Sequence, residues 1–415
     1  MSKVTTTFAD GTSIDAVYDV GVPMPVFPEV KWADLAPVAD EHYGKTLKRA
    51  KAGSQVLLLA NAKLSSIGNS DVNMWQAIVT NVSALIGVQG APAVIQMLAD
   101  SFTNYADPPS WPGQTLGAGA LRWGPNNGTL NPRAPISMSD LTFIGADQHH
   151  GAIRMLWMGI YNYMSKGAVA KRITLQRMSS SNGNSPKYGE TFAWTEYLTD
   201  GSYLDDFVIS GLDPITGARV GGGLFGAAGA KNLRIKNMRA TDSDRSGVSL
   251  SRAGTDPAKW TVTDTVTIDG LTVLNNANHK ENAGTPEWRF APVNLEDVHG
   301  LISISGLVAG IDPYVSAGWD ATMISHGSAQ YDNPTPMLVQ PVSWTSPSWA
   351  QGAFSIALWG KQVTRPIVKD TSGKILQPVF VESTPTGGAG VTLAMVPKID
   401  PKTQYALVHR NDYTA

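Results

Sequence analysis

The chain has 415 residues, 42% of them hydrophobic and 16% charged, and its 32 basic and 34 acidic side chains leave a net charge of −2. That balance argues against a nucleic-acid-binding protein, which needs a basic excess or stripe. The absence of cysteine excludes disulfide scaffolds, thiolate-bound metal centres and thiol nucleophiles.

In chain order, residues 1–70 hold Pro23, Pro25, Pro28 and Pro37 with little periodicity, so an extended arm or attachment region is expected. The first residues, MSKVTTTFADGTSIDAV, carry no apolar core of a secretory leader. Asn69-Ser70-Asp71 then offers helix-capping chemistry. Val72, Trp75, Ile78, Val79, Val82, Leu85 and Ile86 follow at helical spacing, with Gly87 as a stop, which predicts a capping helix. Gly90-Ala91-Pro92 leads into a strand over 93–98. A helix, a break and a strand would cover the open edge of a repeat array. No charge falls between Val72 and Ala99, but its Asn, Gln, Ser and Thr residues and Pro92 argue for packing rather than membrane insertion.

The middle of the chain repeats. The pattern apolar-x-apolar-x-x-apolar occurs at Ile136-Met138-Leu141, Ile173-Leu175-Met178, Phe207-Ile209-Leu212, Leu233-Ile235-Met238, Val266-Ile268-Leu271 and Ile302-Ile304-Leu307. The first positions are separated by 37, 34, 26, 33 and 36 residues. Alternation predicts a short strand with one face inward. The pair before the last apolar residue, such as Ser210-Gly211, Asp269-Gly270 or Ser305-Gly306, suits a sharp bend. A third apolar segment follows, for example Val248-Leu250, Val293-Leu295 and Met323-Ile324. Strand, corner, strand, excursion, strand describes one coil of an all-β parallel β-helix. The intervening 179–191 and 275–288 are too rich in Gly, Asn, Ser and Pro for the crossover helices of a βαβ array. Residues 329–350 read as linker-like or edge-like, and from Ala353 to His409 there is alternation without the repeat motif. FSIALW, QPVFVE and GVTLAMV alternate between turn signals, which predicts a small antiparallel β domain over 329–415. The expected division is therefore 1–70, 71–328 and 329–415.

Candidate chemistry lies in the long segments 179–203, 240–262 and 274–292, which leave equivalent points of stacked coils and so emerge on one face. They contain Tyr188, Trp194, Glu196, Asp242, Asp244, Arg245, Glu287, Trp288 and Arg289. Aromatic faces with carboxylates and guanidinium groups are the chemistry of a carbohydrate site. Acid–base pairs for glycoside cleavage could come from Asp242/Asp244, Glu287 or Glu296/Asp297. Gly221, Gly223 and Gly226 satisfy G-x-G-x-x-G, but a turn and a strand follow, so close packing is expected in place of a dinucleotide. No metal or cofactor motif is present, and none is expected.

The repeat resembles the right-handed parallel β-helix of pectin-lyase-like proteins. Together with the arm, the cap and the C-terminal β region, it is similar to phage tail spikes and minor tail proteins. The resemblance implies a virion tail component acting at the host cell exterior. It would be attached to other tail proteins, assembled as a homotrimer, and directed to a host-surface glycan without membrane insertion. A polysaccharide depolymerase on the same scaffold and a purely structural virion protein are the alternatives. No catalytic set carries over from the family.

Overall fold

A computed structural model describes side chains over residues 84–95, 137–145, 165–178, 192–212, 223–243, 246–253, 261–276 and 292–309, with Ile160, Asn162 and Ile324 beside them. Further strands are described as backbone alone. All the described elements are strands, and all but the first two join one ladder. Long strands alternate along the chain with short ones. The long strands Ser137–Ile144, Val169–Gln176, Tyr203–Ser210, Lys231–Thr241, Thr261–Leu274 and Val298–Gly310 pair in parallel with one another. The short strands Ile160–Tyr163, Phe192–Tyr197, Gly223–Ala228, Val248–Ala253, Val293–Glu296 and Thr322–Ser328 do the same in a second sheet. One long and one short strand make a coil, and the protein is a parallel β-solenoid.

Each long strand bends at a left-handed residue. Asp140, Arg172, Asp206, Asn237, Gly270 and Gly306 have φ of 57°, 53°, 60°, 52°, 78° and 61°. Their neighbours on either side are paired strand to strand, so all six occupy one register position. Asp, Asn and Gly accept this conformation most cheaply. Arg172 is the exception, and its guanidinium grips the buried Asp140 carboxylate of the coil before it, Nε to Oδ1 at 2.6 Å and Nη2 to Oδ2 at 2.8 Å. The bend directs alternate side chains inward on both arms. Met138, Ala170, Leu204, Ile235, Ile268 and Ile304 stack before it, and Leu141, Ile173, Phe207, Met238, Leu271 and Leu307 after it, all buried. Each large apolar side chain in such a column contributes about 1.5–3 kcal/mol by burial.

The register corrects two of the expected repeat units. Ile173 and Phe207 pair with Leu141 and Met238, the third position of the motif, so the units at Ile173 and Phe207 had been aligned five residues late. The irregular 26-residue interval disappears once Phe207 is matched to Met238. In those two coils the position occupied elsewhere by Leu233, Val266 and Ile302 falls to the small residues Ala168 and Ser202, so no large apolar side chain opens the pattern.

The ends also differ from expectation. The segment read as a capping helix contains the strands Trp75–Val79 and Ala84–Ile86, which pair in parallel with Gly119–Trp123 and Ser137–Ile144. Its apolar residues fit both periods, and coil-to-coil pairing decides between them. The expected capping residues Asn69-Ser70-Asp71 lie outside the described residues. The ladder already includes Gln55–Leu57 and Ala62–Leu64, while Ser2–Thr7 and Ser13–Tyr18 form a separate antiparallel ribbon. Beyond residue 328, Met337–Thr345, Ser355–Gly360 and Val379–Ser383 continue the parallel pairing, and among the described residues there antiparallel pairing is found between Ile367–Asp370 and Ile375–Leu376. Met337, Val339 and Val342 continue the pattern of Ile302, Ile304 and Leu307, while Pro341 falls at the register position of Gly306. Its ring fixes φ near −65° and ends the left-handed column, although the pairing goes on.

Ile268 is fully buried between Ile235 and Ile304. Ile268→Asp places a carboxylate among apolar neighbours and is expected to cost about 3 kcal/mol or more. Urea denaturation checks this, since an unchanged midpoint would mean that the register is wrong.

Candidate functional site

The chain leaves the long strands at stacked points. Arg177, Gly211, Asp242 and Asn275 follow the paired ends Gln176, Ser210, Thr241 and Leu274. The N–H groups of Arg177, Gly211 and Asp242 donate to the carbonyls of Ser210, Thr241 and Leu274 in the next coil, at 2.9, 2.9 and 3.1 Å. Gly145 heads this column, where an added Cβ would lie 1.9 Å from the Arg177 carbonyl oxygen, so only glycine fits. Asn275 Nδ2 donates to Asp242 Oδ1 at 3.1 Å. Just inside, the buried Asn276 accepts from the Ser243 N–H and hydroxyl at 3.2 Å each and donates to the Ala240 carbonyl at 2.8 Å. The chain re-enters the short sheet at points that are also in register, Phe192 beside Gly223 and Val248 beside Val293. Each excursion therefore starts and finishes at stacked positions.

Of the residues expected to form a carbohydrate site, Asp242 stands in this corner column. Tyr188, Asp244, Arg245, Glu287, Trp288 and Arg289 lie outside the described residues. Trp194 and Glu196 are corrections. They belong to the strand Phe192–Tyr197 and point into the solenoid, because residues two apart share a face and the register partners of Trp194 are Ile160 and Phe225, both core. The Trp194 ring meets Phe207 edge-on, with centroids 5.0 Å apart. Neither residue can stack on or bind a ligand outside the coil.

Glu196 is fully buried, and its carboxylate collects donors. Trp194 Nε1 reaches Oε1 at 2.8 Å, while Asn162 Nδ2 and Ser202 Oγ reach Oε2 at 2.7 and 2.9 Å. Ser165 donates to Asn162 Oδ1 at 2.6 Å. Burial pushes the Glu196 carboxyl above its ordinary range, and hydrogen bonds led by Trp194 and Ser202 oppose that rise without cancelling it. Ser202, which stands where Leu233 opens the motif in the next coil, thus serves as a donor to Glu196.

Glu296 and Asp297, the carboxylate pair considered for catalysis, both accept from Arg252. Nη1 lies 2.9 Å from Glu296 Oε1 and also bonds Asp297 Oδ2. Asp297 is fully buried, so the arrangement ties one coil to another and holds its charge by pairing. The glycine run is a packing device, as expected. Cβ atoms on Gly223 and Gly226 would lie 2.5 and 2.4 Å from the Phe192 ring.

The outer face of the long sheet went unremarked in the sequence. One column across it reads Ser139, Lys171, Asp205, Lys236, Asp269 and Ser305, with charge alternating between coils. A parallel column reads Val169, Tyr203, Arg234, Thr267 and Ser303. The apolar positions Leu233, Ile235 and Met238 in KNLRIKNMRAT were the signal, because they leave every cation of that strand on the exposed side.

No protein-family model and no curated protein matches the chain. Two solved structures resemble it. The A-module of the Azotobacter vinelandii mannuronan C-5 epimerase AlgE6 is 12% identical, with a TM-score of 0.33 over 86% of this chain and 98% of that one. The A-module of AlgE4 from the same organism is 13% identical, with a TM-score of 0.22 over 86% and 98%.

The raised carboxyl of Glu196 sets a pH dependence. It binds its proton more tightly in the folded chain than in the unfolded one, whose ordinary value is 4.5. Its contribution is complete below that value and is lost as pH rises through the raised one. Glu196→Gln removes the titration. The wild-type urea midpoint, measured relative to that of the variant between pH 4 and 8, is expected to fall as pH rises. A constant difference would contradict the assignment.

Proposed function

We propose that the chain is a virion tail component, a spike or minor tail protein, whose β-solenoid carries a glycan-recognising surface on the excursions that leave its stacked corner. The observation that carries this reading is the column Arg177–Gly211–Asp242–Asn275, which starts successive excursions at one place on the coil. Segments that share their points of departure and return can pool side chains that no single coil supplies. Those in the sequence are Tyr188, Asp244, Arg245, Glu287, Trp288 and Arg289, a set with ring faces for sugar planes and charged groups for hydroxyls and acidic substituents. The ligand is a polysaccharide of the host envelope. The partners are other tail proteins and two further copies of the chain, at the exterior of the host cell.

Binding of the full chain to an array of bacterial envelope polysaccharides tests the reading. Trp288→Ala is expected to weaken binding about ten-fold, the effect of losing an aromatic anchor worth about 1–3 kcal/mol, with melting unchanged. Glu287→Gln is expected to leave binding intact. Reducing-sugar release by the wild type that Glu287→Gln abolishes would identify a depolymerase instead. Binding unaffected by both substitutions would leave the excursions a structural role.

A further inference from the structure

The near-zero net charge conceals a cationic row. On the strand Lys231–Thr241, Leu233, Ile235 and Met238 point inward, and Arg234, Lys236 and Arg239 stand exposed on the outer face, the last beyond the bend at Asn237. None of the three has a side-chain hydrogen bond or ion pair among the described residues. Other cations on the same face are matched. Arg172 is bidentate on Asp140, and Lys171 sits 5.6 Å from the Tyr203 ring centroid and in register with Asp205.

Register shows which charges are uncompensated. Lys236 stands between Asp205 and Asp269 and so has a carboxylate in register on each side. Arg234 lies between Tyr203 and Thr267, and Arg239 between Val208 and Thr272, so neither guanidinium has a carboxylate in register on either side. Outward positions along a strand recur at about 6.5–7 Å, and guanidinium forks favour carboxylates bound through two oxygens. The row is one strand wide, with Asp205 and Asp206 along one edge and Asp264 and Asp269 along the other.

We infer that Arg234 and Arg239 bind one strand of a carboxylate-bearing polysaccharide at a site separate from the excursion corner. The choice of a polysaccharide rests on the glycan-directed function proposed above. The location rests only on the unmatched cations.

The test uses the full chain and polygalacturonate as the acidic probe, with dextran as the neutral one and single-stranded DNA as a phosphate polymer, at several salt concentrations. The wild type is expected to bind polygalacturonate and not dextran, and more weakly as salt rises. Arg234→Gln combined with Arg239→Gln is expected to weaken that binding ten-fold or more with unchanged melting, since both side chains are exposed. Replacing the same two residues by Lys should recover only part of it. No binding of polygalacturonate by the wild type, equal binding of dextran, or no effect of the double substitution would each overturn the site. Tighter binding of single-stranded DNA than of polygalacturonate would overturn the polysaccharide assignment in favour of nucleic acid. Trp288→Ala on the same probes separates the two proposals. If it abolishes array binding while the Arg pair proves dispensable, the row fails and the excursion reading stands. If the Arg pair is required and neither excursion substitution has any effect, the reverse holds.

Discussion

In this stack of parallel coils, the backbone bends recur at the same place from coil to coil. A residue driven into the left-handed region costs an ordinary side chain about 1–2 kcal/mol, and stacking imposes that cost at the same place in each coil. The column Asp140–Arg172–Asp206–Asn237–Gly270–Gly306 meets it mainly with residues that tolerate the conformation. A second column at the start of the long strands does likewise, with Gly167, Gly201, Asn232, Thr265 and Gly300 aligned through bridges and ladder pairs. Arg177, Asp242 and Asn275 form a third with Gly211 between them. These columns fix where the sheets turn and therefore which side chains reach the interior, the outer face and the excursions.

The interior they enclose is not uniform. Over Ile235, Ile268 and Ile304 it is apolar and repeats coil by coil. Around Glu196 it is a hydrogen-bonded pocket of Asn162, Ser165, Trp194 and Ser202, wholly out of solvent. A buried carboxyl is tolerated only when donors surround it. The donors come from two coils, so the cluster also favours one register between them over a slipped alternative.

Much of the fold was legible because alternation and bend residues are local signals. Leu233-Ile235-Met238, Val266-Ile268-Leu271 and Ile302-Ile304-Leu307 stack as their shared pattern implies, and Asn237, Gly270 and Gly306 mark the bend. Errors arose where the interior departs from the pattern. Ala168 and Ser202 stand where later coils place the larger apolar residues Leu233, Val266 and Ile302. The segment before residue 87 was misread because a nearly continuous apolar run satisfies helix and strand periods alike. At the site, Trp194 and Glu196 were assigned to an excursion because Gly- and Asn-rich sequence gives no sharp boundary, and the strand that turns them inward begins only at Phe192. The unmatched Arg234 and Arg239 could not be recognised before the register was known, since an exposed cation is distinctive only beside its neighbours.

Inward and outward faces are set by register, and the cysteine-free sequence allows a direct measurement of it. Thr267 and Ser303 are ladder partners on the outer face, so cysteines at these positions are separated by one strand spacing of about 4.8 Å between Cα atoms, within disulfide range. Thr267 and Ser305 are offset by two residues and lie beyond the roughly 7 Å that a disulfide spans. Under mild oxidation Thr267→Cys with Ser303→Cys is expected to cross-link within the chain, and Thr267→Cys with Ser305→Cys is not. Preferential cross-linking of the offset pair would contradict the stacked corners and every assignment of inward and outward faces made from them.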